Sequence, residues 1–85
     1  MESIEELLKN NPKKLVGLRQ VLRGLNEDTL WCVIMSSNCE EGIKREVLAL
    51  TRVKKVKVVS GITMEQLGSL CGIDVKASTV GLIRD

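Results

Sequence analysis

Residues 29–52, TLWCVIMSSNCEEGIKREVLALTR, decide the fold. The first nine bring Leu, Trp, Val, Ile and Met together without a single charge, the composition of a strand buried on both faces, and such strands belong to sheets covered by helices on each side. The spacing then changes to that of a helix of about ten residues. Glu40 and Glu41 suit the positive end of its dipole, and Ile43, Val47, Leu48 and Leu50 are expected to face inward.

The flanking segments repeat the alternation. Upstream, SIEELLKN (3–10) predicts a helix with Ser3 as N-cap, Glu6 at the capping-box position and Ile4, Leu7 and Leu8 as its apolar stripe; Pro12 ends it. KKLV is a short strand or an extended lead into the next element. Gly17 to Leu25 is a second helix with Leu18, Val21, Leu22 and Leu25 on one side, stopped by Gly24 and Asn26. Downstream, VKKVKVVS (53–60) alternates like a strand, TMEQLGSLC starts at a Thr63 N-cap with Gln66 placed for a capping box, and STVGLIRD closes as a strand. Gly68 reads as a helix-packing position and Gly72 as a C-cap. The order predicts an α/β chain, a three-layer α/β/α sandwich around a mixed sheet of about four strands, formed by one domain over residues 1–85.

Composition narrows the chemistry. The 85 residues include no Phe, Tyr or His and one Trp, so the core is built from aliphatic side chains, with Trp31 among them. Cys32, Cys39 and Cys71 are an odd set without C-x-x-C spacing, and no leader pattern precedes them, as for reduced thiols in a cytoplasmic protein. The longest apolar run, LWCVIM, is far short of the 18 or so residues of a membrane span. A cysteine nucleophile lacks a histidine base, zinc lacks its usual ligand, and neither glycine-rich nucleotide loop is present. The expectation is a non-catalytic protein with no cofactor and no metal.

Net charge is only +2, but the cations are clustered. Residues 13–25 hold Lys13, Lys14, Arg19 and Arg23 and no acid, and 52–57 hold Arg52, Lys54, Lys55 and Lys57, with acid-rich stretches between them. Sorted charge of this kind suits phosphates, although solvated faces have the same composition. RVKKVK reads first as a basic guard on an edge strand, with a second RNA contact as the alternative. On the helix GLRQVLRGL (17–25), Arg19, Gln20 and Arg23 rise from the face opposite the leucines. Gly17 leaves the backbone N–H groups of the helix start open, and Lys13 and Lys14 lie just upstream in sequence, so this end suits a phosphate. Arginine and glutamine also match base edges, while the plainer reading has the polar face simply meeting water.

Four blocks, GLRQVLRGL, VIMSSNC, EQLGSLCGIDV and STVGLI, resemble in order the signature blocks of the ribosomal L7Ae and L30e family, the kink-turn RNA-binding proteins, over residues 14–84. The resemblance implies that Gly17, Arg19, Gln20 and Arg23 dock on the tandem sheared G·A pairs of a kink-turn. It also implies that the turn Ile73, Asp74, Val75, Lys76 and Ala77 packs its apolar side chains on the flipped-out bulge nucleotide, with Ser60 to Ile62 in a neighbouring loop. Arg19 stands where the family has Asn or Lys, and Lys76 where small residues are common. The implied function is that of a ribosomal or other ribonucleoprotein component that stabilises a bent RNA, cytoplasmic and monomeric when free. The alternative is a protein-interaction subunit that keeps the fold while its RNA recognition has degenerated.

Overall fold

The computed structural model describes residues 3–84. Eight elements alternate: α1 (Ile4–Asn10), β1 (Lys14–Val16), α2 (Leu18–Asn26), β2 (Leu30–Met35), α3 (Glu41–Lys54), β3 (Lys57–Ser60), α4 (Met64–Leu70) and β4 (Thr79–Ile83). The strands form one sheet in the order β1-β4-β2-β3. Only β4 runs against the others, pairing antiparallel with β1 and β2, while β2 and β3 are parallel. The ends of β1, β2 and β3 and the start of β4 therefore share one edge of the sheet, here called the upper end.

Two aliphatic cores lie on the two faces. Leu7 and Leu8 of α1 and Leu67 of α4 cover Cys32, Ile34, Val80 and Leu82, whereas Val21 and Leu25 of α2 and Val47 of α3 cover Leu30, Val33 and Met35. This is the predicted three-layer sandwich on a mixed four-stranded sheet, with β2 packed on both faces. The β2–β4 register shifts between Leu30 and Cys32, leaving Trp31 as an extra residue. Trp31 and Cys32 thus both reach the α1/α4 core, while Leu30 fills the other.

Several boundaries differ from expectation. The third helix has 14 residues, not about ten, because it runs through Thr51–Lys54 and stops where Lys55 takes a left-handed conformation, φ 57°. Val53 and Lys54 accordingly leave the predicted strand, which begins at Lys57. Leu48 is 38% exposed, and Thr51, with its hydroxyl donating to the Leu48 carbonyl, takes the buried place instead. Gly24 is not a stop: it is buried inside α2 against Leu15 and Leu30, and the helix ends at Asn26 before Asp28, φ 58°. KKLV resolves as a strand from Lys14.

The start of α4 is doubly tied. Thr63 and Gln66 form the expected reciprocal capping box, and Asn38 Oδ1 accepts from the Met64 N–H at 2.8 Å. Thr63→Ala is expected to cost about 1 kcal/mol of stability, read by urea unfolding; an unchanged midpoint would mean that Asn38 alone satisfies this end.

Candidate nucleic-acid interface

The upper end gathers four loops. After β1 the chain enters Gly17, whose N–H donates to the Thr79 carbonyl (2.9 Å) and whose carbonyl accepts from Val21 N–H (3.0 Å). After β2, both the N–H and the hydroxyl of Ser36 donate to the Ser78 carbonyl, and Ser37 N–H donates to the Ile62 carbonyl (2.7 Å). Asn38 then bridges to α4, donating to Glu65 (3.4 Å) as well as capping Met64. The loops at 17, 36–38, 60–62 and 77–79 are thus one hydrogen-bonded platform, at the strand ends where open α/β sheets place their ligands. Ser36 and Asn38 are not among the residues the sequence assigns to the site; their signal is the uncharged polar SSN directly after an apolar run, within the block VIMSSNC.

Gly17 is the N-cap of α2 at φ 100° and ψ 157°, with no side-chain cap. The N–H groups of the first turn, Leu18 to Gln20, have no partner within the helix and point at whatever approaches. Arg19 and Gln20 in that turn are exposed, and neither side chain has a partner among the described residues. The electrostatics single out this helix. The other three helices also begin at the upper end, and each carries acid in its first turn: Glu5 and Glu6 on α1, Glu41 on α3, Glu65 on α4. Helix α2 has none there. An anion meets a bare positive dipole with a guanidinium at α2 and carboxylates at its neighbours.

The remaining predicted residues divide. Arg23 lies a turn further along α2, exposed but engaged with Glu27 at 3.4 Å. In the 73–77 loop, Ile73 is half-buried against the α1/α4 core, and Ala77, 2% exposed, donates its N–H to the Met64 carbonyl. Val75 is therefore the apolar side chain the loop offers outward, at 69% exposure. Its backbone packs on Gly68, where a Cβ would run into the Val75 carbonyl oxygen. Asp74 is exposed, and Lys76 lies 3.8 Å from Glu65 beside a cleft of about 440 Å³ between this loop and α4. The backbone N–H of Glu65 and the Asn38 amide hold the Glu65 carboxyl below its usual range, so it stays anionic beside Lys76. Ser60 to Ile62 sits on the platform, with Gly61 at φ 139°.

Lys13 and Lys14 are not at the α2 start. Lys13 precedes and Lys14 opens β1, and Lys13 accepts at its carbonyl from Ile83 N–H, at the end of β4, so both stand at the lower end of the sheet. The cysteines are quiet: burial raises the thiol of Cys32 and, against an opposing Lys14, that of Cys71. Among the described residues no helix is long and apolar enough to cross a membrane.

The model of the ribosomal protein L7Ae/L30e/S12e/Gadd45 family matches residues 2–85. Over 68 residues, 80% of this chain and 83% of the other, the chain is 32% identical to RNA-binding protein BH0128 of Halalkalibacterium halodurans. It is 34% identical over the same shares to RNA-binding protein TTE2299 of Caldanaerobacter subterraneus. RNA-binding protein YbxF of Geobacillus stearothermophilus is 31% identical over 72 residues, 85% of this chain and 88% of that one. Among solved structures, a protein of unknown function from Bacillus halodurans superposes with a TM-score of 0.82 at 20% identity, covering 94% of this chain and 80% of the other, a likeness of fold.

Proposed function

Because the chain belongs to the ribosomal protein L7Ae/L30e/S12e/Gadd45 family, we propose that it binds RNA without catalysis and that its target is a kink-turn or a related internal loop with sheared G·A pairs. In this reading it acts as a cytoplasmic monomer that joins a ribosome or another ribonucleoprotein. The observation that carries it is the start of α2: the one helix end at the platform without acid, presenting Arg19 and Gln20 with no partner among the described residues. Gly17 and the first-turn N–H groups take phosphate, Arg19 and Gln20 reach the G·A edges in the groove, and Val75 meets the extruded nucleotide. Lys13 and Lys14 have no part in this contact. The names of the relatives, each an RNA-binding protein, support the partner class.

A mobility-shift titration against a kink-turn RNA, with a control whose G·A pairs are changed to Watson–Crick pairs, tests the reading. Preference for the kink-turn is expected; equal affinity for both RNAs removes the specific target, and no binding at low salt favours a protein-interaction role for the fold. Arg23→Ala should weaken the complex by about 1 kcal/mol, at the low end for a base contact because Glu27 competes for the guanidinium. An unchanged affinity takes Arg23 out of the interface.

A further inference from the structure

Most of the positive charge lies away from the platform, at the lower end of the sheet. Lys13 precedes and Lys14 opens β1, Lys55 precedes and Lys57 opens β3, and Arg84 follows β4. Three strand spacings of about 4.8 Å put β1 and β3 about 14 Å apart, with Arg84 between them. The Arg84 guanidinium donates to the Leu30 carbonyl there (3.2 Å), and the residue is exposed. Glu27 and Asp28, in the turn from α2 into β2 at this end, are both already engaged, by Arg23 at 3.4 Å and by Lys54 at 3.3 Å. Lys13, Lys55, Lys57 and Arg84 have no ion-pair partner among the described residues.

Two ordinary explanations account for part of this charge. Cations in the last turns of helices answer the dipole, which covers Lys9 of α1 and Arg52 and Lys54 of α3. Lysine on an edge strand blocks pairing with another chain, which covers Lys57 on β3 and Lys14 on β1. The dipole also covers Lys55, the C-cap of α3, but neither explanation applies to Lys13, which precedes β1, or to Arg84, which follows an inner strand.

We propose that this lower end is a second, sequence-independent RNA contact that takes the phosphate backbone of a duplex other than the stem seated on α2. The proposal rests on the RNA-binding reading but uses none of the α2 residues. The molecule spans 30 × 29 × 24 Å, and its two charged ends lie at opposite ends of the sheet. Lys13 stands about 13 Å from Gly17 along β1 at about 3.3 Å per residue, and Lys57 lies at the same lower end on the opposite edge strand, so in this proposal the two contacts together join two RNA helices.

The test uses the full chain, a labelled RNA duplex with no internal loop, and a kink-turn RNA, each titrated over a range of salt. Lys13→Gln/Lys57→Gln, both exposed, should weaken duplex binding about tenfold and lower its salt slope by about one per lost contact, with kink-turn affinity unchanged. Arg19→Ala should do the reverse. The wild-type kink-turn complex should also be retarded further by added duplex, and the double variant should not. The proposal is overturned if the double variant binds duplex like the wild type, or if duplex displaces the kink-turn RNA. If the wild type ignores the kink-turn but binds duplex through Lys13 and Lys57, the α2 reading fails and the second contact stands.

Discussion

Gly68→Ala is expected to remove about 3 kcal/mol of folding stability. Glycine inside an exposed helix normally costs about 1 kcal/mol relative to alanine, so propensity alone predicts a gain. Packing reverses the sign. Gly68 is buried, and the added methyl would meet the Val75 carbonyl oxygen, part of a backbone segment tied to α4 by Ile73 N–H donating to the Gly68 carbonyl (3.1 Å) and Ala77 N–H to the Met64 carbonyl (3.1 Å). A flexible side chain could turn away; a carbonyl held at both flanks moves only if the loop undocks. For a domain of this size, whose total stability is roughly 4 to 13 kcal/mol, the loss should lower Tm by about 12 to 24 °C. Urea and thermal unfolding check it, and a loss below about 1 kcal/mol would show that the 73–77 loop yields easily. Because the same loop carries Val75, RNA affinity should fall with stability.

Gly17→Ala has a different cause. Nothing lies within 4 Å of a Cβ built there, so there is no clash. The obstacle is φ 100° with ψ 157°, a region that glycine alone occupies comfortably, at a cost of about 1 to 3 kcal/mol for an L-residue. The methyl should therefore either destabilise the fold by about 2 kcal/mol or swing the first turn of α2 away from its present direction. In the second case kink-turn affinity drops about tenfold or more, the equivalent of 1.4 kcal/mol. D-alanine separates conformation from size, since its mirror-image preferences accept this backbone. A chain of 85 residues is within reach of chemical ligation, and Asn38–Cys39 offers the junction. L-alanine should be harmful and D-alanine close to neutral in both unfolding and RNA titration. Equal damage from both would mean that the surface needs the space a missing side chain leaves.

The parts of this molecule that could be read from sequence are those governed by short-range physics. The uncharged LWCVIM run could only be an interior strand, the leucine spacing of 18–25 could only be an amphipathic helix, and Thr63 with Gln66 gave a cap whose two halves lie three residues apart. The errors lie where pattern and geometry separate. Val53 to Val59 alternates as a strand should, yet the helix persists to Lys54 because nothing before Lys55 stops it, and the stop itself is a lysine in a glycine-like conformation. Lys13 and Lys14 are four and three residues from Gly17, which on a helix is one turn but on a strand, at about 3.3 Å per residue, is the length of β1. Adjacency along the chain thus placed two cations at the wrong end of the sheet. Arg23 could be read as outward-facing, but its engagement with Glu27 needed the second helical turn to be seen in place. The Ser36–Asn38 brace joins residues 26 to 42 positions apart, a separation that local patterning does not sense.

The extra residue in β2 has a practical consequence. By sliding the pairing one step, it sends the indole of Trp31 to the α1/α4 side, in a chain with no tyrosine to compete with it. The protein thereby carries a single natural fluorophore assigned to one of its two halves. Its emission reports loosening of the layer that supports the 73–77 loop and is blind to fraying of α2, so comparing it with helix circular dichroism would resolve which half of the sandwich opens first.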